Sequence, residues 1–207
     1  AKSTWLSIIY PIWKIVKNRD IKIIIVSDTI EQAELFFEAV KEELEANERL
    51  IDDFGAFAQP AQRGAVNRWR ANRITVSRPT RSKEPTLFCA GTRKRIVGKR
   101  ADLIIVDDPL NDENTENSRQ RSKTLRWFMK TLTPIVNPDT GRIIVIGTRK
   151  HPEDLHGELS RNPRYRQFVF RALDGDDRST PLWPERWPLE RLLREKSEIG
   201  THIFAQE

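Results

Sequence analysis

Four aliphatic residues running straight into two adjacent carboxylates, Leu103-Ile104-Ile105-Val106-Asp107-Asp108, constrain this chain more than any other feature. The run is too short for a helix and shows no polar alternation, so it predicts a strand buried on both faces, as in the interior of a parallel sheet. Two similar runs, residues 21–26 and 143–146, lie before and after it. Between them fall segments with three- and four-residue apolar spacing. Residues 30–47 put Ala33, Phe36, Phe37, Val40 and Leu44 on one face, and residues 118–131 do so with Leu125, Phe128 and Met129. Apolar strands alternating with amphipathic helices predict an α/β fold with a mainly parallel sheet, right-handed crossovers and a ligand at the carboxyl ends of the strands.

The remaining pattern is coarser. Residues 3–17 read as a helix that Pro11 should kink or divide. Residues 73–78, 86–90 and 167–170 read as strands, residues 153–160 and 188–196 as helices, and the Pro- and Trp-rich 180–188 as the subdomain junction.

Charge is segregated along the chain. Residues 63–100 hold twelve bases and one acid, a net of +11, whereas residues 28–53 hold ten acids and two bases. Clustered Lys and Arg gain free energy by releasing counterions from nucleic acid, so the basic stretch suggests a polyphosphate partner; a solvated face balanced by the acidic helix is the plainer alternative. A single cysteine, Cys89, excludes an intramolecular disulfide and any cysteine-rich zinc site, which favours a reducing compartment. It reads as a small buried hydrophobe. No apolar run approaches the roughly 18 residues needed to span a bilayer. The start, Ala-Lys-Ser-Thr-Trp, has neither an initiating Met nor the plan of a signal peptide, so a longer parent is expected.

Several residues can carry chemistry. Lys2-Ser3-Thr4 at the head of a helix has the form of the end of a phosphate-binding loop, in which Lys meets phosphate and Ser or Thr ligates Mg²⁺. Asp107 and Asp108 at the end of a buried strand can divide into a metal-side acid and a water-polarising one; equally, Asp107-Asp108-Pro109 can simply end a strand. Residues 143–146 deliver Gly147-Thr148-Arg149 in the same manner, as a phosphate sensor or as a turn with a surface charge. The three histidines, His151, His156 and His202, lack metal-ligand spacing and read as surface or capping groups. Trp127, Trp183 and Trp187, set beside aliphatics, read as core.

Together these residues resemble the ATPase motor of the large terminase subunit, which packages DNA into the capsids of tailed phages and prophages. Val97-Gly98-Lys99-Arg100-Ala101-Asp102 leading into Leu103 to Pro109 looks like the family's approach to its Walker B strand. Arg119 to Trp127 is similar to the helix that follows, Ile146 to His151 with Asp154-Leu155 to the coupling motif, and Leu182 to Trp187 with Phe204-Ala205-Gln206 to the end of the motor.

The resemblance implies a P-loop NTPase-like fold of the ASCE type whose N-terminal P-loop strand is missing, with the motor core over 1–180, a helical end over 181–207, and a nuclease domain beyond Glu207. It implies an ATP hydrolase using ATP and Mg²⁺. Lys2, Ser3 and Thr4 would bind nucleotide, and Ser3 and Asp107 would hold the metal. Asp108 would activate water, Thr148 and Arg149 would couple hydrolysis to movement, and Arg95 or Arg100 would reach in trans into a neighbouring subunit. Double-stranded DNA would meet Arg68, Arg70, Arg73, Arg78, Arg81, Arg93, Lys94 and Arg95. A homo-oligomeric ring on the procapsid, portal protein and small terminase subunit as partners, no membrane, and the host cytoplasm complete the expectation. The chain alone is expected to bind nucleotide poorly, because the cradling amides would precede residue 1. A helicase-like P-loop ATPase and a non-catalytic basic nucleic-acid-binding domain are the alternatives.

Overall fold

A computed structural model describes residues 2–58, 69–92, 96, 99–174 and 179–204. The chain divides into two compact units, Ala1–Gly147 and Thr148–Glu207.

The first unit is built on β1 (Ile23–Ser27) and β5 (Leu103–Asp107), whose residues are all buried, as their uninterrupted aliphatic sequence demands. Between them in sequence come α2 (Ile30–Ala46), α3 (Glu48–Phe54), a hairpin of β2 (Trp69–Arg70) with β3 (Arg73–Ile74), and β4 (Leu87–Gly91). After β5 come α4 (Asp112–Thr115), α5 (Ser118–Trp127) and β6 (Arg142–Ile146). The six strands lie in the order β2-β3-β4-β1-β5-β6, with β4, β1, β5 and β6 mutually parallel and the β2–β3 hairpin antiparallel. The register sets Gly91, Ser27, Asp107 and Ile146 in one row, so four carboxyl ends finish level. The expected mixed α/β architecture with a mainly parallel sheet is therefore present.

Strand alternation sorts the core into two faces. Ile23, Ile25, Leu103, Ile105, Leu87 and Cys89 cluster with Ile15 and with Ala33, Phe37, Val40 and Leu44 of α2, while Ile24, Val26, Ile104 and Val106 are buried on the other face. Cys89 is inaccessible, as expected; its Sγ lies 3.8 Å from the Asn72 carbonyl, and burial pushes the thiol up to about 12.

Several expectations change. Pro11 does not divide the first helix. A π-helical turn, Thr4–Ile9, runs into α1 (Tyr10–Lys17), and the change from π to α spacing falls beside Pro11, which has no N–H to donate. The strand expected over 73–78 shrinks to Arg73–Ile74. The helix expected over 118–131 is α-helical to Trp127, then continues as a π-turn, Phe128–Leu132, and a 3-10 turn, Thr133–Ile135. β6 is not a buried strand: it pairs only with β5 among the described strands, leaving Arg142 exposed and Ile143, Ile144 and Val145 half-buried.

The second unit holds α6 (Leu155–Ser160), an antiparallel pair β7 (Leu173–Asp174) and β8 (Thr180–Pro181), α7 (Leu189–Ile199) and α8 (Thr201–Phe204), with Leu155, Leu159, Leu173 and Leu192 buried. Asp154 caps α6 by accepting from the Gly157 N–H at 2.9 Å. The strand expected over 167–170 is absent, and Phe168, Val169 and Phe170 are exposed. No helix among the described residues is long and apolar enough to cross a membrane.

Candidate functional site

Helical spacing sets Ser3 and Ser7 on one face of the first helix, four residues apart, and the fold brings that face onto the end of β5. The Ser3 hydroxyl donates to Oδ1 of Asp107 at 3.0 Å, and the Ser7 hydroxyl donates to Oδ2. From β1, the Ser27 hydroxyl donates to the main-chain carbonyl of Asp107 at 2.8 Å. Asp107 is 2% exposed. Burial pushes its carboxyl above the usual aspartate range; the Ser7 and Ser3 hydroxyls pull it back, the neighbouring Asp108 charge adds to the rise, and Lys2 opposes it.

Asp108 differs in every respect. It is exposed, and its backbone takes a left-handed conformation, with φ of +46°, while its N–H still donates to the Ile146 carbonyl at 2.8 Å. Left-handed backbone is costly for most residues and milder for Asp, whose short polar side chain tolerates it. The two acids open on a cavity of about 340 Å³, lined by Ser3 from the first helix, Ser27, Asp28 and Thr29 after β1, Gln32 and Phe36 from α2, and Leu110. It lies at the carboxyl ends of the central strands, as an α/β fold predicts for its ligand.

The residues expected from sequence fall in different places. Ser3, Asp107 and Asp108 meet at this cavity, with Lys2 exposed but close enough for its charge to act on Asp107. Thr4 is exposed and does not line the cavity. Arg100 lies apart: it precedes the first residue of β5, at the amino ends of the strands, beside Lys22, Glu84 and Lys99. A five-residue strand at about 3.3 Å per residue places it roughly 16 Å or more from its own chain's acids. Thr148, half-buried, and Arg149, exposed, open the second unit.

Of the basic residues, Arg70, Arg73 and Arg81 are exposed, while Arg78 donates to the Ser82 carbonyl at 3.0 Å and the Glu84 carbonyl at 2.8 Å, bracing a turn. Lys99 sits 4.0 Å from the centroid of the Phe88 ring; burial, and next the Arg73 charge, lower its pKa. Arg68, Arg93, Lys94, Arg95, Val97, Gly98, Ala205 and Gln206 lie outside the described residues.

Sequence reading missed Ser7, Ser27 and Asp28 at the site. A signal existed for each: Ser7 stands one helical turn after Ser3, and Ser27-Asp28 ends β1 at the register position where Asp107-Asp108 ends β5. The core reading of tryptophan holds poorly, because Trp183 is 48% exposed with the Arg186 guanidinium 5.3 Å from its ring, and Trp127 and Trp187 are only half-buried. Nδ1 of His151 accepts from the Glu153 N–H at 3.0 Å, a capping role. His156 is half-buried, and the side chain of His202 falls outside the described residues. Among the described residues, no group of three or more His, Cys, Asp or Glu side chains could hold a metal ion. A serine hydroxyl against one carboxylate is instead a hard-oxygen pair of the kind Mg²⁺ uses when phosphates and water complete its shell.

No family profile matches the chain. Among curated proteins, it is similar to the large terminase subunit of Enterobacteria phage T3, with 28% identity over 206 residues, 97% of this chain and 33% of the phage protein. The chain thus spans about a third of the length of that relative, and the likeness extends along nearly all of the chain.

Proposed function

We propose that this chain is the ATP-hydrolysing motor portion of a large terminase, an ASCE-type P-loop fold that couples ATP hydrolysis to the packaging of double-stranded viral DNA into a procapsid. The observation that carries the reading is the 3.0 Å bond from the Ser3 hydroxyl, beside Lys2 at the head of the first helix, to Asp107, with Asp108 next to it at the rim of a cavity. A lysine, a hydroxyl, a buried carboxylate and an accessible carboxylate are the side chains that phosphoryl transfer to water requires.

In this reading Lys2, with Thr4 nearby, binds the nucleotide phosphates, and Ser3 and Asp107 hold Mg²⁺. The ion, when bound, neutralises charge that develops on the phosphates. Asp108, accessible where Asp107 is not, accepts a proton from the attacking water as its oxygen bonds the γ-phosphorus and the bridging P–O bond breaks; the proton then leaves to solvent. Thr148 and Arg149, which follow β6 after Gly147, sense loss of the γ-phosphate. Arg100 sits too far from its own acids to serve them, which suits a group acting on the next subunit of a homo-oligomeric ring. Arg70, Arg73 and Arg81, with Arg68, Arg78, Arg93, Lys94 and Arg95, meet the DNA backbone. The portal protein, the small terminase subunit and the host cytoplasm follow from the same reading.

Asp108→Asn tests it, because Asn tolerates the same left-handed backbone but accepts no proton. In the intact protein, ATP turnover is expected to fall by about 10²-fold or more while nucleotide affinity stays within about threefold. Undiminished turnover by that variant overturns the assignment of Asp108.

A further inference from the structure

Two consecutive residues from the end of β1 reach the end of β5. Ser27, in register with Asp107, holds that residue's main-chain carbonyl at 2.8 Å. Asp28, the next residue, lines the cavity beside Asp108. Its Oδ2 accepts from the Asn111 amide at 2.6 Å, and its Oδ1 lies 3.4 Å from the Asn114 amide.

Those two asparagines organise the loop that leaves Asp108. Each side chain accepts the other's backbone N–H, at 2.8 and 3.0 Å, which closes a reciprocal cap on α4. The Asn114 amide donates to the Pro109 carbonyl at 2.9 Å, and the Thr115 hydroxyl donates to the Asn111 carbonyl at 2.7 Å. Asn114 and Thr115 are both buried. The loop is thus fastened to itself, and the Asp28 carboxylate fastens it to the central strand β1. Asp108, at its head, needs such bracing. A left-handed backbone, here with φ of +46°, persists only where the surrounding structure holds it. On one side its N–H is held by the Ile146 carbonyl; on the other, the Pro109 carbonyl is held by Asn114.

We propose that Asp28 is a positioning residue for water activation: by holding Asn111 and Asn114, its carboxylate fixes the 108–114 loop against β1 and keeps Asp108 at the rim of the cavity. This rests on the motor reading. A carboxylate suits the place because it accepts from both amides at once and its bonds to them are charge-assisted, whereas an amide side chain there sets one of its own N–H groups against a donor.

The test uses the intact protein and two readouts, one of them independent of ATP. Asp28→Ala removes both bonds to the asparagines, while the Thr92 hydroxyl keeps its 2.8 Å bond to the main-chain carbonyl of residue 28. Asn111→Asp keeps the helix cap but sets two carboxylates together. The exchanged pair, Asp28→Asn with Asn111→Asp, restores an amide donating to a carboxylate. In nucleotide-free protein, the backbone amides of Asn111 and Asn114 are expected to exchange hydrogen about tenfold faster in each single variant, the scale of one lost charge-assisted bond. They should return to the wild-type rate in the exchanged pair, with Ile25 and Val26 of β1 unchanged throughout. In turnover, each single variant is expected to lower kcat by about tenfold to a hundredfold, as a small misplacement of a reacting group does, with KM for ATP within about twofold. The exchanged pair should recover most of kcat.

Unchanged amide exchange in both single variants overturns the proposed tie. Faster exchange with unchanged kcat shows that the loop does not position Asp108. A rise in KM that accounts for the lost activity assigns Asp28 to nucleotide binding instead. Recovery of exchange without recovery of kcat in the exchanged pair means that the Asp28 carboxylate itself acts in the cavity, and this too overturns a positioning role. Absence of ATP hydrolysis in the wild type overturns the motor reading and the role proposed for Asp28 with it, and the exchange measurements separate that failure from a failure of the tie.

Discussion

Two neighbouring aspartates illustrate how position divides identical side chains. Asp107 is held in the interior by serine hydroxyls, and burial raises its carboxyl pKa; Asp108 pays a backbone cost to stay accessible. Both features oppose stability, as sites shaped for function often do. Because the folded carboxyl of Asp107 ionises later than its unfolded counterpart, the folded state binds more protons between the two values. Its contribution to stability is therefore present at low pH and declines as pH rises above the ordinary aspartate range. Asp107→Asn is accordingly expected to raise the melting temperature at pH 7, with a smaller gain at pH 4; calorimetry at the two pH values checks it. An equal or larger gain at pH 4 would contradict a cost rooted in burying the charged carboxylate. Asp108→Gly should stabilise as well, by up to about 1 kcal/mol, visible as a higher urea midpoint.

At the level of elements, legibility followed the number of neighbours that an element's chemistry reports. β1 and β5 were readable because strands buried on both faces need continuous aliphatics. Residues 143–146 are just as aliphatic, yet β6 is half-buried, since apolarity says nothing of whether a second strand lies alongside. Phe168, Val169 and Phe170 mislead similarly: three apolar residues in a row form no strand and stay exposed. The adjacent acids were visible as a site because they are consecutive. Ser7 and Asp28 were not, because they meet the cavity only through a helix docked on β5 and a register between β1 and β5. One close approach is decisive at this scale. A Cβ on Gly91 would lie 2.9 Å from the Ile30 nitrogen, so the end of β4 and the start of α2 fit only with glycine there. Gly91→Ala is expected to destabilise by about 1–3 kcal/mol, measured as a lower urea midpoint with an unchanged slope.

For the molecule as a whole, the opposed charges of residues 28–53 and 63–100 shape association more than folding. If the basic stretch grips DNA phosphates, binding should be tolerant of sequence and should weaken about 10³-fold between 50 and 200 mM salt for some six contacts. Replacing Arg73 and Arg81 together with Ala should make the salt slope shallower by about two, as fluorescence anisotropy titrations can record; a slope near zero in the wild type would remove DNA from the reading.

The state of Cys89 bears on how such motion can be watched. With its thiol pushed up to about 12, only roughly one molecule in 10⁵ would present a thiolate at neutral pH, and its 1% exposure shuts out a reagent even then. Within this chain the natural thiol is thus a silent background for maleimide dyes, and a cysteine introduced here at an open position such as Arg81 or Arg149 would be labelled in preference to it.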